Sequence, residues 1–147
     1  MSGIIPLEAG RNAFGLNSLA YNDARPEYPP RIFEILREHG ASQAASVFEV
    51  GAGSGQATAP LLALGCKITA IEPDARLATV LAERLTHYET SLTIMQSSFE
   101  DCVLHPDKFD LGVSATAFHW LEQASALTKV LGLLRPGGWW AMWWTVF

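Results

Sequence analysis

Apolar residues in this chain fall in short runs bounded by glycine and proline, not in long stripes. Ser46-Val47-Phe48-Glu49-Val50 is such a run; it ends on glycines and predicts a buried strand. Lys67 to Ile71, Leu92 to Gln96, Phe109 to Ala115 and Trp139 to Val146 repeat the pattern and predict four more. The stretches between them are helical in period. Gln56 to Leu64 is closed by Gly65, a second helix capped by Asp74 runs to about His87, and a third covers Leu121 to Leu134. Upstream, Pro26, Pro29 and Pro30 forbid a regular helix, but Pro30 suits a first helical position. Ile32, Phe33, Ile35 and Leu36 then give a short helix its apolar face, and Gly40 stops it. Residues 1 to about 20 show weak periodicity and are expected to form a mobile lead-in.

Strands alternating with helices imply parallel crossover units, with helices on both faces of one sheet. The predicted class is α/β, a doubly wound, mainly parallel sheet. No long polar linker interrupts the pattern, so residues 1–147 are expected to be one domain.

Composition narrows the function classes. With 49% hydrophobic and 17% charged residues, the chain is not globally disordered. A net charge of −5 argues against nucleic acid bound by phosphate neutralisation. Cys66 and Cys102 have no metal-ligand spacing and make no disulfide framework, so free thiols in a reducing cytoplasm are expected. No apolar run approaches the ~20 residues of a spanning helix, and Met1 to Pro6 does not read as a signal peptide. No membrane association is therefore expected.

The chemistry concentrates at Glu49-Val50-Gly51-Ala52-Gly53-Ser54-Gly55, which leaves a strand and enters a helix. Glycines there permit a tight turn, and they let a backbone approach a ligand that a Cβ would block. A dinucleotide fingerprint wants its third glycine at position 56, which is Gln56. Glu72 ends the second strand and is followed by Pro73 and Asp74, so it sits at a fixed bend. A carboxylate at that place can accept both hydroxyl protons of a ribose.

Taken together, these residues resemble a class I S-adenosylmethionine-dependent methyltransferase of the small-molecule type, with its Rossmann-like sheet. Val47–Thr58 is similar to the family's first motif and Ile68–Asp74 to its second. Ser97–Asp101 stands where the family contacts adenine. Phe109–Ala115 with Phe118, His119 and Trp120 resembles the fourth strand and its loop, and Leu133–Gly138 the turn into the fifth. Phe14-Gly15 and Tyr21 through Pro29 are similar to the N-terminal segment of one subgroup.

The resemblance implies S-adenosylmethionine as cofactor and a small-molecule methyl acceptor. Glu49, Gly51, Ala52, Gly53 and Gly55 would shape the methionine end, and Glu72 with Pro73 the ribose end. Ser98, Phe99 and Glu100 would lie by the adenine, Ser98 standing where the family often carries an acid. Ser114 and Ala115 would touch the cofactor through backbone. Tyr21 and Arg25 would cover it, with Arg25 pairing with its carboxylate, for which a guanidinium is the natural partner. His119 and Trp120 are the candidate acceptor contacts, and His119 the candidate proton relay.

Family members continue past strand five with a helix and two more strands, whereas this chain stops at Phe147. A sheet truncated there leaves an open edge beside Trp139, Trp140, Trp143 and Trp144, from which a homodimer through the last strand is expected. A truncated cofactor-binding module without turnover is the first alternative to an active enzyme. A nicotinamide-dependent oxidoreductase is the second, opposed by Gln56 and by the Pro-Gly-Gly turn.

Overall fold

The computed structural model describes residues 27–118 and 121–145. Its helices are α1 (Pro30–Glu38), α2 (Thr58–Ala63), α3 (Ala75–Arg84) and α4 (Gln123–Leu133). Its strands are β1 (Ser46–Val50), β2 (Lys67–Ile71), β3 (Leu92–Met95), β4 (Phe109–Ala115) and β5 (Leu134–Trp143). The strands form one sheet of order β3-β2-β1-β4-β5. Every pairing is parallel.

Several local starts and stops have a visible cause. Proline opens α1, and Gly40 just beyond it takes a φ of +107°. Asp74 caps α3 by accepting the amide protons of Arg76 and Leu77, and Glu122 caps α4 through Ala124 and Ser125. Side chains of β1 alternate between two cores. Val47 packs with Leu61, Leu62, Leu81 and Leu111 beneath the first three helices. Phe48 and Val50 pack with Phe109, Val130 and Leu133 beneath α4. Gly112 pairs with Phe48 across the β1–β4 ladder, and a Cβ on it would lie 2.3 Å from the Phe48 ring. The glycine thus makes room for the largest side chain at the centre of the sheet.

Helix α4 and strand β3 differ from expectation by only one or two residues at an end, and three other elements depart further. The fifth strand begins at Leu134, not Trp139, and ends at Trp143. Phe109 pairs with Leu134 but Leu111 with Trp139, so Arg135–Gly138 bulge out of the ladder. The Pro-Gly-Gly signal marks that bulge within the strand, where a turn before it was expected. Helix α2 starts at Thr58 and not Gln56. Gln56 is still in the turn, its amide hydrogen-bonded to the Ser54 hydroxyl at 2.8 Å. The helix after Asp74 ends at Arg84, and a 3₁₀ turn carries the chain over Thr86–Tyr88.

Candidate functional site

The chain leaves β1 toward β2 and β3, then returns to place β4 on the other side of β1. Open parallel sheets bind ligands outside the carboxyl ends of their strands at this kind of reversal. The sequence-predicted residues of β1, β2 and β4 converge there.

The glycine turn is built by its own backbone. Gly51, Gly53 and Gly55 have φ of +70°, +59° and +101°, values that side chains resist. The amides of Gly51 and Ala52 donate to the Ile71 carbonyl, which ties the turn to the end of β2. A Cβ on Gly51 would stand 2.4 Å from that of Ala117, and one on Gly55 would stand 2.9 Å from the Leu81 side chain. Both glycines therefore serve the close packing of protein on protein as well as the tight turn expected from the sequence. Arg84 adds a clamp, donating to the Ser54 carbonyl at 2.5 Å.

Glu49 is 1% exposed and shares the Val47 face of β1. The Thr58 hydroxyl donates to its Oε1 at 2.6 Å, which fixes the carboxylate against the first turn of α2. Glu72 is 5% exposed, far from a solvated strand-end charge. Gly53 N–H donates to its Oε1 at 2.9 Å and Asp74 N–H to its Oε2 at 2.8 Å. Each oxygen keeps a second lone pair, so the group can still accept two further hydrogen bonds. Burial pushes the Glu72 carboxyl above its ordinary pKa, and the two backbone donors pull it partly back. Pro73 follows, and Asp74 is spent on its helix cap.

Past β3, the Ser98–Cys102 turn borders the same edge, since the Met95 carbonyl accepts from Glu72 N–H and Ser97 N–H. The Ser98 hydroxyl accepts from Asp101 N–H at 3.2 Å. The Phe99 ring is 2% exposed and stacked on Phe48, so it belongs to the core and offers no face to a base. Glu100 is exposed. On the other side, Ser114 is fully buried and its hydroxyl donates to the Val50 carbonyl, locking β4 to the end of β1 beside Ala115. The Tyr28 hydroxyl bonds that of Thr116 at 2.9 Å, just past β4. Tyr21, Arg25, His119 and Trp120 lie outside the described residues.

A groove of about 540 Å³ reaches this turn at Gly55 and Gln56 from the helical side, lined by Phe33, Arg37, Pro60 and Arg84. Neither Glu49 nor Glu72 lines it, so the carboxylates mark a different place. Sequence reasoning missed Thr58 and Arg84. Only the folded geometry links them to Glu49 and to the turn. Cys66 and Cys102 are free and buried, and burial raises the Cys66 thiol to about 11. Among the described residues no helix is long and apolar enough to cross a membrane, and no group of metal-ligating side chains is present.

The chain is similar to known proteins in sequence and in fold. Residues 48–142 match the family model described as a methyltransferase domain. The chain is 32% identical over 126 residues to the uncharacterised methyltransferase Mb3374 of Mycobacterium bovis, covering 86% of this chain and 49% of that protein. It is 28% identical over 131 residues to CRG1 of Saccharomyces cerevisiae, named a probable S-adenosylmethionine-dependent methyltransferase, covering 86% of this chain and 44% of the relative. The chain thus spans about half the length of these curated relatives. Among solved structures, phosphoethanolamine N-methyltransferase 2 of Haemonchus contortus, in complex with phosphomonomethylethanolamine and S-adenosylhomocysteine, superposes with a TM-score of 0.75 at 16% identity. That match covers 92% of this chain and 34% of the other. Strand order and matched span agree: the chain belongs to the methyltransferase-domain family.

Proposed function

We propose that the carboxyl edge of β1, β2 and β4 holds S-adenosylmethionine for methyl transfer to a small-molecule acceptor. The observation that carries this is Glu72, a buried carboxylate with one lone pair per oxygen to spare, braced against the glycine turn. Two vicinal hydroxyls can donate to those oxygens, as on a ribose. The methionine end then falls toward Glu49 and the turn, and the base toward Ser98 and Glu100. Bound there, the cofactor's sulfonium supplies an activated methyl group. The chain's own task is to hold an acceptor in line with it and to exclude water, which is catalysis by orientation. His119 and Trp120 follow β4 and are the residues proposed to meet the acceptor, His119 relaying a proton where the acceptor must lose one. Tyr21 and Arg25 are proposed to close over the cofactor.

Titration calorimetry tests the assignment. S-adenosylhomocysteine is expected to bind the 147-residue chain and nicotinamide dinucleotides to give no heat. The reverse preference overturns it.

The partner proposed for the outer edge of β5 is a second copy of the chain. Among the described residues no strand pairs with that edge, and Trp139 and Met142 on the strand are exposed. Such edges recruit strands, most simply about a two-fold axis. Sedimentation at tens of micromolar should show a dimer that Met142→Lys weakens. A clean monomer counts against the pairing.

A further inference from the structure

The side chain of Lys129 reaches from α4 to the turn that follows β3. Its Nζ donates to the Phe99 carbonyl and to the Cys102 carbonyl, each at 2.5 Å, with the Glu100 carbonyl at 3.4 Å. The same ammonium stands 5.0 Å over the centre of the Phe99 ring. The turn itself is a single helical loop closed by Cys102 N–H on the Ser98 carbonyl. One turn leaves its last carbonyls without intrahelical partners. A cation there satisfies them and complements their partial negative charge. The Cys102 thiol also reaches the Phe99 carbonyl, at 3.3 Å, but the charged donor arrives from 30 residues away.

Position gives this clamp its meaning. The Met95 carbonyl joins the foot of the turn to Glu72, so moving the turn moves the edge next to the ribose carboxylate. A nucleoside whose sugar sits on Glu72 has its base one strand further out, at the end of β3. Strands lie ~4.8 Å apart, about the offset between a ribose and its base. The base edge therefore meets the Ser98 hydroxyl and the peptide groups of the turn. Phe99 contributes no ring face, because it is held in the core beneath Lys129. Recognition of the base then depends on where polar groups stand, and a shift of a few tenths of an ångström degrades hydrogen bonding before it degrades packing.

We propose that Lys129 is a positioning residue that sets the Ser98–Cys102 turn and thereby confers selectivity for adenine over other purines. The inference rests on the cofactor reading above. The test compares S-adenosylhomocysteine with S-inosylhomocysteine, in which a carbonyl replaces the amino group and the neighbouring ring nitrogen carries a proton. Calorimetry is run on the wild-type chain, Lys129→Met, which keeps the stem without the donors, and Lys129→Arg, which restores them.

The wild type is expected to prefer the adenosine ligand by roughly tenfold or more, one or two well-placed hydrogen bonds' worth. Lys129→Met should bring that ratio toward one while binding of the inosine ligand changes little. Lys129→Arg should recover most of it. A structural role would weaken both ligands alike and leave the ratio intact, and that result overturns the proposal. A wild type that binds neither ligand overturns the cofactor reading, and this inference with it. Should the methionine variant fail to fold, Lys129→Gln carries the comparison, with an intermediate ratio expected and an unchanged one overturning the proposal.

Discussion

Gly51→Ala is expected to lower folding stability by about 2–5 kcal/mol and to abolish measurable cofactor binding. Two independent effects add. At a φ of +70° an L side chain costs ~1–2 kcal/mol. The new Cβ also lies 2.4 Å from the Ala117 Cβ, and overpacking of that kind costs ~1–3 kcal/mol. The strain is relieved only by moving the turn away from the strip after β4, which pulls Gly53 off Glu72. Gly132→Ala is the control. A Cβ there meets nothing within 4 Å on a helix, so that variant should be unchanged or more stable by up to about 1 kcal/mol. Urea denaturation of the pair measures both, and equal stabilities would refute the packing argument.

Glu72→Ala is expected to weaken S-adenosylhomocysteine binding by ~1.5–3 kcal/mol, the scale of hydrogen bonds to a charged group. Its effect on folding has two opposed parts. Gly53 N–H and Asp74 N–H lose their acceptor, while a buried charge is removed. Glu72→Gln separates charge from shape through pH. Burial raises the folded-state pKa of Glu72 above 4.5. Its contribution to stability is therefore complete below the unfolded value and is lost as pH rises through the folded one. Ligand binding runs the other way. Ribose hydroxyls donate to the ionised form, so affinity should rise with pH through the same window, with release of a proton. Both trends should vanish in Glu72→Gln. Pre-steady flatness in the wild type, with affinity the same on either side of the window, would place the ribose elsewhere.

How far this arrangement was legible in sequence depends on whether the signal is local. The limits of β1, β2 and β4 agree with expectation because a buried parallel strand is a short apolar run with glycine or proline beside it. The Asp74 cap was legible because its signal is equally local. The fifth strand was not. Pro136 and Gly137 carry a turn signal, but the ladder to β4 resumes around them, and only the partner strand decides between a turn and a bulge. Phe99 shows the limit at the site. A phenylalanine next to a serine and a glutamate can face a base or the core. What decides is Phe48 on β1 and Lys129 on α4, both distant in sequence. Glu49 and Glu72 stand out by position, yet nothing local revealed that Thr58 and Gly53 already hold one oxygen of each.

The order of the strands also dictates a schedule for synthesis. β1 lies at the centre of the sheet, but β4, its second neighbour, ends at Ala115, long after β1 ends at Val50. At ~5–20 residues per second, a ribosome needs roughly 3–13 s to deliver the missing strand. Throughout that interval the nascent chain carries Val47, Phe48 and Val50 beside an unpaired backbone edge. The half-sheet of β1, β2 and β3 must wait in that state, with Phe48 lacking the space that Gly112 later provides. The central strand of the finished molecule is thus left half-paired during translation, and a pause before β4 would lengthen its exposure to chaperones and to aggregation alike.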